Sequence, residues 1–536
     1  MSLPAKEHKS LKGLIETLEK SEKKYIKLYS KMQKGEKRYI FIFDFYNNRI
    51  KNNDENLKKA LQKENILTEK VKDPDAFIRS HKKYTYDYIM MVLRLMYEKH
   101  GMEEQKAKEY FANAKIYLEK FGPKPASEEL KKAHDLFKKY ENYTSLIEVS
   151  KMELHLEQIL EKKTSLENCQ VINQQIANYS DLLMLENIFN ELRVKFFIHY
   201  RNHARGKYNQ VKLVELKELL KHQSFNQENA ARSFKTHSAY YMTLGYYSLI
   251  SNEIVDAQSH FEKILDLWKE NQHFITEQSN IYTSLLSNYL NICTITENLG
   301  GKFLGYLKLL AFQKPQTIKN KLNQLQEILF LKLRYYMSSG QLKEAQLVIN
   351  EIILKLNSFI DIIPASRRIA FFFNISVFYF IMENFETASE WIKKWERLEE
   401  KSMQRIDLQI RWKYLELIME TEFNPNLDIF VRVGSISNHI RHKGMLGKLE
   451  LLIMRFLIKI KETPFKRERI YQMRLFYAEL ENYKANLHEE NIGGLGITEI
   501  QTWLESRMNN KKMYNVYSHN RQGKFQKNTK NQVSLH

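Results

Sequence analysis

The sequence predicts an all-α protein, built as a right-handed superhelix (α-solenoid) of antiparallel helix pairs. Three observations favour this fold class. The 536 residues include only 17 Gly and 8 Pro, which is typical of long helices joined by short loops. Apolar residues recur at the 3.6-residue spacing of a helix face. Small residues recur every 40 to 48 positions, which is the period expected for a repeated helix pair.

Residues 1–80 form the first predicted region, a set of short charged helices. Leu11, Leu14, Ile15 and Leu18 share one helix face, which we expect to be buried. Each proline of the chain is placed at a break between helices, because its ring and its missing N–H disrupt a helix interior.

Residues 81–490 form the second predicted region, which consists of helix pairs. A small residue opens the second helix of several pairs: Ala107, Ala257, Gly305, Ala345 and Ala388. The last four are separated by 48, 40 and 43 residues. This imperfect period indicates helical hairpins that stack on their neighbours.

One helix pair carries a recognisable pattern. Tyr241, Leu244, Gly245, Ala257 and Phe261 stand at the offsets of the tetratricopeptide repeat, which this segment resembles. The resemblance implies that the two helices approach most closely at Gly245 and Ala257 and that Phe261 fills the space between repeats. Weaker copies of the pattern extend the resemblance over about half of the chain.

The N-terminal third shows a second resemblance. The segments EKSEKKYIKLY, KRYIFIFDFY and HKKYTYDYIMMVLRLM resemble the opening of cytoplasmic helical-repeat proteins from Bacteroidota that have no characterised activity. This resemblance implies a bacterial origin and a helical-repeat architecture, and it implies no reaction.

The C-terminal end is predicted to contain a last helix in residues 491–516 and a disordered basic tail in residues 517–536. The tail has few apolar residues to offset the entropy lost on ordering. It also contributes to the formal net charge of +20, which comes from 84 Lys and Arg against 64 Asp and Glu. The rest of the excess is Lys mixed with Glu, as on solvated helix faces.

The location predicted from the sequence is the cytoplasm. The charged start MSLPAKEHKS is followed by no apolar signal segment. The most apolar run, residues 369–382, is 14 residues long, which suits a buried helix better than a membrane span, so we expect no membrane partner. Cys169 and Cys293 are interpreted as buried thiols in a reducing compartment.

No pattern of catalytic, metal-binding or cofactor-binding residues is predicted. His199 and His203 are four apart, but Tyr200 stands where the HExxH motif needs its glutamate. Gly300, Gly301 and Lys302 are followed by Phe303 instead of the Ser or Thr of a phosphate loop. An enzyme is therefore disfavoured.

The predicted function is that of a protein-binding scaffold. The first helices of the pairs would line a concave groove, at Met242, Tyr246, Phe330, Arg334, Phe373, Val377 and Phe380. Such a groove would bind a segment of a partner protein or peptide, unless neighbouring repeats bury these side chains. The alternative is a protein associated with nucleic acid or ribosomes, which would bind through its Lys-rich faces and basic tail.

Overall fold

The structure is a computed structural model of the chain. It describes residues 11–32, 37–48, 54–68, 71–99, 103–160, 165–203, 210–296, 299–313, 318–360, 363, 365–399, 406–424, 426–442, 447–485 and 496–533. These residues form 26 helices and no β-strand, which confirms the all-α class. The chain divides into two compact units, residues 1–173 and residues 174–536.

The first unit contains eight helices and the start of a ninth. They are α1 (Leu11–Thr17), α2 (Lys20–Met32), α3 (Arg38–Asn47), α4 (Asp54–Lys63), α5 (Pro74–Lys99), α6 (Glu103–Phe121), α7 (Pro123–Lys139), α8 (Tyr143–Leu160) and α9 (Ser165–His203), which continues into the second unit. The predicted region boundary at residue 80 falls inside helix α5, and the boundary between the two units falls inside α9.

The core of the first unit confirms the predicted face of its first helix. Leu11, Ile15 and Leu18 are buried, and Leu14 packs against the same cluster. Residues 1–10 of the predicted N-terminal region lie outside the described residues. Pro74 and Pro123 each begin a helix, as expected where a proline's missing N–H has no intrahelical partner.

The second unit holds the remaining helices. They are α10 (Gln210–Leu219), α11 (Gln227–Ala230), α12 (Phe234–Ser251), α13 (Ile254–Glu270), α14 (His273–Glu277), α15 (Ser279–Ile295), α16 (Gly301–Phe312), α17 (Ile318–Ser338), α18 (Leu342–Phe359), α19 (Ala365–Ile381), α20 (Phe385–Glu399), α21 (Ile406–Phe423), α22 (Ile429–His442), α23 (Lys448–Glu462), α24 (Lys466–Ala485), α25 (Ile497–Met508) and α26 (Met513–Val533).

Helices of the second unit pack in succession. Within pairs, α12 contacts α13, α17 contacts α18 and α19 contacts α20, and α15, α17, α19 and α21 contact one another in that order. Polar contacts repeatedly join residues 36 to 40 positions apart, in the pairs Gln258–Thr296, Glu262–Lys302, Asn280–Asn320, Asn291–Glu327, Thr294–Arg334 and Tyr414–Glu450. The period of about 40 residues in the sequence is therefore also a period of contacts.

The small residues on which the sequence period was based differ in whether they lie at a close approach of two helices. A Cβ on Gly245 would lie 2.8 Å from the Phe261 ring, so the predicted close approach of these helices is confirmed. The four predicted alanines are fully buried. Gly305 is exposed and a Cβ there would meet nothing within 4 Å, so its assignment was wrong. Phe303 is the buried residue at the start of that helix.

The largest apolar cluster, which we call the main core, is formed by buried residues of helices α17 to α26. The apolar run of residues 369–382 lies almost entirely in α19, and most of its side chains are buried in this main core. Among the described residues, none of the helices combines the length and apolar character that a membrane span requires. Cys293 is buried as expected, whereas Cys169 is half-buried. Both have a free thiol.

The predicted disordered tail is instead a helix through Val533, and residues 534–536 lie outside the described part. Met513, Val516 and Tyr517 are buried at the start of α26. The Ser518 hydroxyl donates a hydrogen bond of 2.6 Å to the carbonyl oxygen of Gly340. Burial of these few side chains supplies the contacts that the polar composition of the tail did not indicate.

Candidate interaction surface

Most of the predicted groove residues belong to the core. Met242, Tyr246, Phe330, Val377 and Phe380 expose between 0% and 8% of their surface. Phe373 is half-buried and packs against the main core, and Arg334 is also half-buried. The exposed apolar groove is therefore not formed by these side chains, because neighbouring helices cover them.

Polar side chains lie beside this apolar layer on the first helices of successive pairs. The Asn291 amide on α15 donates a hydrogen bond of 2.7 Å to Glu327 Oε1 on α17. The Arg367 guanidinium on α19 lies 2.6 Å from Glu327 Oε2. One carboxylate thus connects three helices, since it accepts from one neighbour and pairs with the other.

Arg334 extends this arrangement along α17. Glu327, Phe330 and Arg334 are spaced by three and four residues, so they share one helix face. Arg334 donates a hydrogen bond of 3.5 Å to the Thr294 carbonyl oxygen on α15. The Phe330 ring has the Arg367 guanidinium 4.6 Å from its centre and that of Arg334 6.0 Å away. The two cations therefore lie over a buried aromatic ring.

The arrangement continues to α12 through Asn288. The Asn288 side chain on α15 interacts with the Tyr246 side chain on α12. Burial raises the pKa of Tyr246 to about 12, whereas Arg193 and Asn288 act in the opposite direction. We call Asn288, Asn291, Glu327, Arg334 and Arg367 the polar row.

The burial of the polar row sets its electrostatics. The Glu327 side chain is only 8% exposed and that of Arg367 is 25% exposed. A carboxylate at that depth is stable because Arg367 and Asn291 replace the water it has lost. The asparagines are half-buried and keep part of their surface. An amide group offers both a donor and an acceptor, the pair of functions that a peptide backbone also carries.

The other sequence candidates remain separate from the polar row. His199 is half-buried on α9, and the side chain of His203 lies outside the described part. Within the described residues, no group of His, Cys, Asp or Glu is arranged to hold a metal ion. Lys302 pairs with Glu262 at the start of α16, so its charge has a partner within the fold.

Comparison of the chain with protein-family models, with curated proteins and with solved structures found no match. The resemblances to tetratricopeptide proteins and to the Bacteroidota repeat proteins therefore stay predictions from the sequence.

Four members of the polar row were not identified from the sequence: Asn288, Asn291, Glu327 and Arg367. Each is a polar residue within or beside an apolar helical stretch, and the separations from Asn291 to Glu327 and from Glu327 to Arg367 are 36 and 40 residues. That spacing matches the period of the small residues. A search for polar residues recurring with the repeat, instead of apolar ones at groove offsets, would have identified them.

Proposed function

We propose that this protein is a non-enzymatic scaffold that binds a segment of a partner protein along the first helices of a tetratricopeptide-like, right-handed α-solenoid, in a bacterial cytoplasm. The observation that carries the proposal is the polar row, which links α15, α17 and α19 through one buried carboxylate. Buried ion pairs contribute little net stability compared with apolar residues of similar size. The placement of the polar row along successive helix pairs is therefore better suited to recognising a ligand than to stabilising the fold.

The chemistry of the polar row favours an extended segment that carries carboxylates. Asn288 and Asn291 can pair with backbone amide groups. Arg334 and Arg367 outnumber Glu327, so the row has an excess of positive charge. An acidic side chain beside the bound backbone would add charge-assisted hydrogen bonds to the guanidinium groups.

The proposal is tested by selecting peptides from a random displayed library on the purified full chain. The binding variant combines Asn288→Ala and Arg334→Ala, neither of which removes the Glu327–Arg367 pair. The control variant combines Asn350→Ala and Lys343→Ala, which are exposed on α18 and likewise remove one amide group and one positive charge. Circular dichroism melting verifies that both variants remain folded.

We expect acidic peptides to be enriched on the wild-type chain. Their affinity should fall by about tenfold or more in the binding variant, since central interface contacts carry most of the binding energy. The control variant should bind as the wild type does. Equal binding by the two variants, or enrichment of no peptide on the wild-type chain, would contradict the proposal.

A further inference from the structure

A cationic cleft lies near the C-terminal end of the second unit. It is lined by the first turns of α24 and by the segment between α25 and α26, and its cations are Lys466, Arg469, Arg507, Lys511 and Lys512. We call it the C-terminal cleft. Two carboxylates, those of Glu383 and Glu422, also line it.

Both carboxylates are already bound to Arg507. The Arg507 guanidinium lies 2.9 Å from Glu383 and 2.8 Å from Glu422. Glu422 also accepts a hydrogen bond from the Trp503 indole at 2.8 Å, and Glu383 accepts one from the Met513 backbone at 3.3 Å. The acidic groups thus hold the walls of the cleft together and have little capacity left for its other cations.

Three cations of the cleft have no acidic partner among the residues that the structure describes. Lys466, Arg469 and Lys511 are exposed. Within the described part of the chain, the Arg469 guanidinium donates a hydrogen bond only to the Thr463 carbonyl oxygen, and Lys512 lies 3.9 Å from Glu383, at the limit of an ion pair. Unpaired cations that line one concave surface attract a polyanion.

Amide side chains extend the surface on the other side of the segment between α25 and α26. A neighbouring cleft shares Asn510, Lys511 and Lys512 and is also lined by Asn509, Asn515 and Asn520. Its one carboxylate among the described residues, Glu505, accepts hydrogen bonds from Asn520 and from the Tyr477 hydroxyl. Asn510 has a φ of 52°, in the left-handed region that asparagine tolerates better than most residues. Amide groups can donate to and accept from the edges of nucleotide bases.

The cations and the amide groups of the two clefts lie side by side, whereas the exposed rings of Tyr471 and Tyr514 line neither cleft, since helical spacing turns them away from the lining faces of α24 and α26. This combination suits a strand of unpaired nucleotides, whose phosphates bind the cations and whose exposed base edges can pair with the amide groups. An acidic polypeptide would bind the cations alone.

We propose that the C-terminal cleft and the neighbouring amide-lined cleft bind single-stranded nucleic acid. Lys466, Arg469 and Lys511 bind phosphates, and Asn509 and Asn515 pair with base edges. This site is distinct from the polar row, so the two proposals can fail independently.

The experiment measures the fluorescence anisotropy of labelled oligouridine with the full chain, over a salt titration. Unlabelled oligouridine, the oligodeoxythymidine of equal length, duplex DNA and polyglutamate compete for the site. The charge variant combines Lys466→Glu and Lys511→Glu. Its control combines Lys308→Glu and Lys343→Glu, which change the net charge equally at exposed positions on α16 and α18.

We expect wild-type binding to weaken by about 20-fold between 50 and 200 mM salt, as three phosphate contacts on a single strand require. The charge variant should lose about tenfold or more in affinity and reduce the slope of the salt dependence by about 1.4. The control variant should retain the affinity to within about twofold. Either single strand should compete better than the duplex, and the better competitor identifies RNA or DNA as the ligand.

Three results would overturn the proposal: no binding at 50 mM salt, equal losses in the charge variant and its control, or competition by polyglutamate as strong as that by oligouridine. The last result would identify an acidic polypeptide as the ligand.

Discussion

Cations in the polar row and in the C-terminal cleft have different neighbours. Arg367 in the polar row is 25% exposed and lies 2.6 Å from a carboxylate that is itself 8% exposed. Lys466, Arg469 and Lys511 in the cleft are exposed and have no acidic partner among the described residues. Arg507 lines the cleft as these three cations do, but it is paired with Glu383 and Glu422, as Arg367 is paired with Glu327.

The difference separates two uses of charge in one chain. A paired, half-buried cation orients its neighbours, and the loss of one partner leaves the other without compensation for its lost water. An exposed cation without a partner contributes little to folding and can neutralise a ligand. The net charge of +20 counts both kinds alike, so the charge alone does not locate a binding site.

The largest expected effect comes from breaking the pair at the centre of the polar row. Arg367→Ala leaves the Glu327 carboxylate buried with only the Asn291 amide as a partner. We expect a loss of about 3 kcal/mol in the free energy of unfolding, measured by urea denaturation with circular dichroism.

The matched control for this change removes both charges. Glu327→Gln with Arg367→Met retains an acceptor for Asn291 and leaves no buried charge. We expect this double variant to unfold within about 1 kcal/mol of the wild type. A cost below about 0.5 kcal/mol for Arg367→Ala would show that Glu327 does not depend on this pair.

The next largest effect is expected inside the C-terminal cleft. Arg507→Met leaves Glu383 and Glu422 facing each other without the cation between them, and should cost about 2 kcal/mol, less than at Glu327 because both carboxylates are more exposed. Lys511→Met in the same cleft is the control, with a change below about 0.5 kcal/mol in the same urea measurement. Equal costs would remove the distinction between paired and unpaired cations.

Glu153 on α8 is a half-buried carboxylate whose charged neighbour is an acid instead of a cation, so its ionised form is disfavoured. Burial, with a further contribution from Asp135, raises the pKa of Glu153 from 4.5 to about 7. The folded state therefore binds this proton more tightly than the unfolded state, and stability falls as the pH rises from about 4.5 through about 7.

Glu153→Gln mimics the protonated form of this side chain. We expect it to stabilise the protein by about 1 kcal/mol at pH 8, after allowance for the partial exposure of the carboxyl group. At pH 4.5 the difference from the wild type should disappear. A difference that is the same at both pH values in urea denaturation would rule out the titration of Glu153 as its cause.

The smallest effect on stability is expected for Lys466→Ala with Arg469→Ala. Both side chains are exposed, so the free energy of unfolding should change by less than about 0.5 kcal/mol. A larger loss in thermal or urea unfolding would mean that these cations stabilise the fold and are not reserved for a ligand.

Features of the fold that depend on local spacing and side-chain size were predictable. The buried face of α1, the helix starts at Pro74 and Pro123 and the contact between Gly245 and Phe261 follow from helical periodicity and from the volume of the residues. Gly305 was misplaced because a small residue at the right interval does not by itself indicate a close approach of helices.

Features that depend on distant partners were not predictable from the sequence. Phe330 and Phe380 have the composition of an apolar groove, but helices elsewhere in the chain bury them. The polar row depends on which residues of α15, α17 and α19 face one another. The tail was expected to be disordered because it has few apolar residues. One of them, Tyr517, packs into a core built from helices far away in the sequence, which the composition of the tail does not indicate.

The hydrogen bond between Ser518 and Gly340 joins residues separated by 178 positions. At ordinary rates of translation, about 10 to 40 s pass between the synthesis of the first residue and that of the second. During this interval the turn at Gly340 has been synthesised but α26 has not. Tyr335 likewise lacks the Phe525 ring, whose centre lies 6.1 Å from its own in the completed fold. The surface that α26 later covers is thus available to a chaperone during synthesis, and it closes late in biogenesis.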